Sequence, residues 1–119
     1  MSRKHHDLIV WQEAINFVKE IYEVTTRFPQ YELYGMMSQM RRSSVSVPSN
    51  ITEGAGRLSR KEYLQFLATA RGSLCELETQ IIIAQQLGYI PDACDLSSKM
   101  DRLFGLLGGL MNSIRVKCK

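Results

Sequence analysis

Between residues 41 and 71, Arg41, Arg42, Arg57, Arg60, Lys61 and Arg71 stand against only two acids, Glu53 and Glu62. Basic side chains at that density can neutralise phosphates, so the stretch offers a nucleic-acid backbone an electrostatic grip. Both ends are basic as well, with Arg3 and Lys4 at the start and Arg115, Lys117 and Lys119 at the close. The formal net charge of +3 is too small to specify such a partner by itself. Arg42 admits two readings. It can hold an RNA phosphate, or it can brace helices within a polar stripe of Gln39, Arg42, Ser46, Asn50 and Glu53. A partly buried guanidinium keeps its charge and requires an acid, for which Glu53, Glu76 and Glu78 are candidates.

Other chemistries lack their parts. His5 and His6, the only histidines, lie side by side in an N-terminus expected to fray, with no partner at ligand spacing except Asp7. No metal or cofactor site is expected. A cysteine nucleophile would need a positioned base, and neither histidine is placed for that role. Glu76 and Glu78, two residues apart, point to different sides of a helix and make no carboxylate pair. "EGAGR" has glycines but neither the lysine nor the preceding strand of a phosphate loop. The sequon "NIT" at Asn50–Thr52 is coincidental without a secretion signal. Cys75, Cys94 and Cys118 are odd in number and scattered, which reads as reduced cytosolic thiols. No enzyme is expected, and the location expected is the cytoplasm.

What must position the arginines is a set of helices. The 119 residues, 45% hydrophobic and 23% charged, suit one soluble globular domain spanning 1–119. The longest apolar run, Leu103 to Met111, is about half the ~20 residues of a membrane span. Leu8, Trp11, Ile15, Val18, Tyr22 and Thr25 form one helical stripe, with Asp7 as N-cap and Pro29 ending the helix. A second stripe follows in Leu33, Met37, Met40, Ser44, Val47 and Ile51, running out at Gly54 and Gly56. Pro48 predicts a kink near Ser44 to Val47, with Ser43, Ser44, Ser46 and Ser49 able to bond the freed carbonyls.

"SRKE" at Ser59–Glu62 is a capping box opening the longest helix. Its stripe is Tyr63, Phe66 or Leu67, Ala70, Leu74, Leu77, Ile81, Ala84 and Leu87, with Gly88 as C-cap. Asp92 starts a fourth helix with Leu96, Met100, Leu103, Leu107, Leu110 and Ile114 inside. The predicted helices are 7–27, 32–55, 60–87 and 92–114, and short connections make them an all-α, antiparallel up-down four-helix bundle. Phe104, Leu106 and Met111 lie off the fourth inner stripe, so that helix is apolar nearly all round. Gly105, Gly108 and Gly109 disfavour helix by roughly 1 kcal/mol each, which close approach of another helix would explain. Phe104, Leu106, Gly108 and Met111 are therefore the candidate oligomer interface.

Three stretches, "DLIVWQEAINFVKEIYEVT", "FPQYELYGMMSQMRRSSVSVPSNITEGAGR" and "EYLQFLATARGSLCELETQIIIAQQLGYI", carry a resemblance over Asp7 to Ile90. The chain resembles the bacterial 23S rRNA intervening-sequence protein family, also called the four-helix bundle protein family. It departs in Ser43, Ser44 and Thr52, where that family often has alanine. The resemblance implies a four-helix bundle assembling as a ring, typically a homopentamer, with no catalytic residue. A related group, the accessory proteins of diversity-generating retroelements, has a similar bundle and binds a reverse transcriptase and its RNA.

Two functions follow. One is a non-enzymatic ring that binds structured RNA electrostatically through Arg41, Arg57, Arg60, Lys61 and Arg71. The other is a scaffold for a protein such as a reverse transcriptase, through the fourth helix and the Tyr31–Tyr34 corner. Nothing resembles the aromatic-and-basic motifs that read RNA sequence in RRM or KH domains.

Overall fold

Apolar residues at three- and four-residue steps fold four stretches into helices: α1 (Ile9–Thr25), α2 (Met36–Ala55), α3 (Arg60–Gln86) and α4 (Cys94–Lys117). The computed structural model describes residues 4–91 and 94–117. Each helix packs on its neighbours in sequence, and α4 closes against α1. The diagonal pairs α1–α3 and α2–α4 make no close backbone approach, so the arrangement is an up-down four-helix bundle. The described residues contain no strand, and no helix among them is long and apolar enough to cross a membrane.

The inner face of α1 is not the one its sequence suggests. Val10, Ala14, Phe17, Ile21 and Thr25 are buried, whereas Ile15 and Tyr22 are 41% and 42% exposed. This helix carries apolar residues on two adjoining arcs, and periodicity cannot rank them. Packing does: purely apolar Phe17 and Ile21 fill the centre, while Trp11 sits at the flank with its indole N–H bonded to Thr52, and Tyr22 beneath the Arg41 guanidinium. Asp7 does not cap α1 either. The chain enters through a 3-10 turn at Lys4–Asp7, and Leu8 occupies the cap position without a side-chain bond.

A 3-10 turn at Gln30–Glu32 precedes α2, so the helix starts later than residue 32 and Leu33 stays 39% exposed. Glu32 caps it from outside, accepting the Met36 N–H at 3.1 Å. The remaining stripe, Met37, Met40, Ser44, Val47 and Ile51, is buried. Pro48 lies inside α2 without ending it. Of the serines around it, Ser44 bonds back to the Arg41 carbonyl at 2.8 Å, while Ser43 and Ser46 bond across to α3.

Gly54 fixes how closely α2 meets α3. A Cβ there would stand 2.9 Å from both the Phe66 Cβ and the Tyr63 ring, closer than side chains tolerate. Ser59 caps α3, accepting the Glu62 N–H at 3.3 Å. The α3 stripe is buried from Leu67 to Ala84, but Leu87 is the C-cap and 54% exposed. Gly88 follows at φ +79°, and Tyr89 N–H returns to the Ala84 carbonyl at 2.9 Å, a Schellman ending.

The expected start of the fourth helix at Asp92 lies outside the described residues. Within α4, Leu96, Met100, Leu103, Leu107, Met111 and Ile114 are buried. Met111, 2% exposed, belongs to this chain's own core and is not offered to a second copy. Phe104 and Leu106 are half-buried and pack against the same core, so α4 is less apolar outside than its composition implies. A Cβ added at Gly105, Gly108 or Gly109 would meet nothing within 4 Å, so no contact among the described residues calls for these glycines.

Candidate nucleic-acid interface

The tight turn from Gly56 to Ser59 brings Arg57, Arg60 and Lys61 to one end of the bundle. Around it lies a pocket of about 300 Å³, lined by Arg57, Ser59, Arg60 and Tyr63, with His5 and Leu8 from the N-terminal segment and Ile114 from α4. Three features make its surroundings attractive to anions: the two guanidinium groups, the exposed Lys61, and the N-terminus of α3, whose free N–H groups carry partial positive charge. Arg57 is oriented by an ion pair with Glu53 at 3.3 Å and lies 4.7 Å over the Phe66 ring. Burial pushes the Tyr63 phenol above its usual pKa, so it enters the pocket as a neutral hydroxyl. Leu58 is fully exposed at the tip of the turn.

The histidines at this end are packed. His6 stacks on Trp11 with ring centroids 4.9 Å apart, and His5 meets the same indole edge-on at 5.1 Å. The Trp11 indole N–H donates to Thr52 at 2.9 Å. Among the described residues, no three His, Cys, Asp or Glu side chains converge as a metal cluster would.

Arg41 and Arg71 are elsewhere. Arg71 is exposed partway along α3, roughly 16 Å of helix from Arg60. Arg41 lies roughly 21 Å along α2 from Ala55, the helix end that precedes Arg57, and so near the opposite end. It is already engaged: its Nε donates to Thr25 Oγ1 at 2.9 Å, its NH2 to the Tyr22 carbonyl at 3.2 Å, and its guanidinium lies 4.6 Å over the Tyr22 ring. A cation on the last carbonyls of α1 stabilises that helix end. The two adjacent arginines have thus exchanged the roles their sequence suggests: Arg41 braces helices, and exposed Arg42 makes no bond or ion pair among the described residues.

A polar network does join α2 to α3, with a different membership. Ser43 donates to Glu76 Oε1 at 3.1 Å and Gln80 Nε2 donates to the same oxygen at 3.2 Å. Ser46 and Ser73 share a bond of 2.8 Å, and Asn50 Nδ2 donates to the Ser46 carbonyl at 2.8 Å. Ser46, Asn50 and Glu76 were foreseeable members. Gln39, Arg42 and Glu78 are exposed outside it, and Glu53 is taken by Arg57. Ser43, Ser73 and Gln80 complete it. Their signal was present: Ser73, Glu76 and Gln80 repeat at three- and four-residue steps, mirroring Ser43, Ser46 and Asn50.

At the other end, Tyr89 donates to Glu32 Oε2 at 2.8 Å and meets the Tyr31 hydroxyl at 3.2 Å. Those bonds, Tyr31 first and Glu32 next, hold the Tyr89 pKa well above the ordinary phenol range. Tyr31 and Tyr34 are 78% and 91% exposed.

Residues 6–109 match the family model described as 23S rRNA-intervening sequence protein. None of the curated proteins compared with the chain matches it.

Proposed function

The chain belongs to the 23S rRNA-intervening sequence protein family, and on that footing we propose that it is a non-enzymatic, ring-forming protein that binds structured RNA electrostatically. The observation that carries this reading is the pocket lined by Arg57 and Arg60 at the head of α3, with exposed Lys61 next in the chain. RNA helices present phosphates and 2′-hydroxyls over a wide minor groove, and a cluster of cations suits such a surface without reading bases.

Ring assembly, with a homopentamer as the expected size, draws support from two unlike apolar faces. Ile15 and Val45 are exposed along the α1–α2 flank, and Ile82 and Ile83 on the outside of α3. A head-to-tail ring joins two different faces, whereas a two-fold dimer uses one face twice. Gly105 and Gly109, exposed on α4, add a surface that a neighbouring backbone can approach closely.

The test is RNA binding measured across salt concentrations, with assembly mass from light scattering. Binding should weaken steeply with salt, and charge reversal at Arg57, Arg60 and Lys61 should lower both affinity and the salt slope. Salt-independent binding, or none to any RNA in dilute buffer, overturns the reading. Capture of a reverse transcriptase by an RNA-free ring would favour the scaffold function instead.

A further inference from the structure

A second concavity, of about 360 Å³, lies between the end of α1 and the start of α2. Like the pocket at the head of α3 it is lined by arginine and tyrosine, but here two tyrosines are exposed. Tyr34, 91% exposed, lines it and leaves a large flat ring in water. Tyr22, 42% exposed, forms a wall, with the Arg41 guanidinium 4.6 Å above its ring and tied by hydrogen bonds to α1. Arg42 lines the same space, exposed and without an intramolecular partner among the described residues. Met37 and Leu33 supply apolar lining. No carboxylate among the described residues lines it. The groove of similar size between α1 and α4, by contrast, is lined by Glu13, Glu20 and Glu23, with Lys99 and Arg102 already paired to two of them.

We propose that this concavity is a stacking site for an unpaired nucleotide of RNA. A nucleotide joins a flat ring to an anion, and the site offers a partner to each. The base stacks on the exposed ring of Tyr34, and the fixed Arg41–Tyr22 layer lines the same concavity. The phosphate falls to Arg42. Because stacking asks only for a flat ring, the site tolerates any base. Arg42 lies roughly 20 Å along α2 from Ala55, and Arg57 lies beyond that helix end, so this site is distinct from the one at the head of α3. It rests on the reading that the protein binds RNA, and adds that single-stranded segments are held separately from helical ones.

The experiment measures binding of the full chain to two probes, a short oligoadenylate and an RNA duplex of equal length, in the same buffer. Tyr34→Ala and Arg42→Ala should each weaken oligoadenylate binding by about tenfold while leaving duplex binding nearly unchanged. Tyr34→Phe should retain it, because the ring and not the hydroxyl stacks. Arg57→Glu with Arg60→Glu should show the opposite selectivity. Tyr34 is exposed, so its replacement leaves the fold intact. Oligoadenylate binding unaffected by Tyr34→Ala overturns the proposal, as does equal weakening of both probes. A protein that binds duplex but no single strand overturns this site alone and leaves these tyrosines to a protein contact. One that binds neither probe overturns the RNA reading together with it.

Discussion

The indole N–H of Trp11 donates to the hydroxyl of Thr52 over 2.9 Å, tying α1 to the last turn of α2. Thr52→Ala would leave that half-buried donor without its partner, at an expected loss of about 1 kcal/mol. Thr52→Ser should restore most of it. Urea unfolding followed by the emission of this single tryptophan reads both variants, and equal midpoints for wild type and Thr52→Ala would contradict the assignment.

Glycines in this chain divide by what surrounds them. Gly54→Ala places a methyl 2.9 Å from Phe66 Cβ and should destabilise by about 1–3 kcal/mol, although alanine is the better helix former. Gly105→Ala and Gly109→Ala meet nothing among the described residues and should stabilise the protomer by up to about 1 kcal/mol each. If α4 lies in the ring interface, the same two variants lower the mass seen by light scattering. An unchanged mass removes that face from the interface.

Tyr89 sets an alkaline limit. A free phenol ionises near pH 10.0, and in the folded chain the bonds to Tyr31 and Glu32 push that ionisation higher. The folded state therefore keeps a proton that the unfolded state releases. Its contribution is complete below pH 10.0 and is lost as pH climbs from there toward the folded value. Urea midpoints should fall as pH rises above 10.0, and Tyr89→Phe should flatten that fall. An equally steep decline in the variant would assign the effect to other groups.

Arg41 and Arg42 should separate cleanly on thermal unfolding. Arg41→Ala removes the cation from the last carbonyls of α1 and should cost about 1 kcal/mol. Arg42→Ala should stay within about 0.5 kcal/mol of wild type, as surface substitutions do. A larger effect at Arg42 would reverse the roles assigned to the pair.

Much of this was readable before the fold was known. Stripes in α2, α3 and α4 placed Met40, Leu77 and Leu107 in the core because each helix has one dominant apolar arc. In α1 the two arcs compete, and the choice between Phe17 and Ile15 depends on what α2 and α4 present. Neighbouring residues on a helix point about 100° apart, so whether Arg41 or Arg42 meets α1 depends on where the last carbonyls of α1 come to rest. Met111 was misplaced for a similar reason, since Leu110 and Met111 both border the inner stripe. The head of α3 was legible because caps and turns are local: Ser59, Glu62 and the glycines announce it. The concavity beside Tyr34 was not, because Tyr22 and Arg42 come from different helices.

Glu32 has a consequence for the order in which the bundle is completed. One of its oxygens takes the Met36 N–H close by in the chain, and the other takes the Tyr89 hydroxyl from 57 residues away. The first bond needs only the α1–α2 corner; the second waits until α3 has returned to it. Contacts across so long a loop come late in folding, so the Tyr89 bond should be largely absent from the transition state. It then acts as a latch on escape rather than an aid to assembly: breaking it speeds unfolding and leaves the folding rate almost untouched.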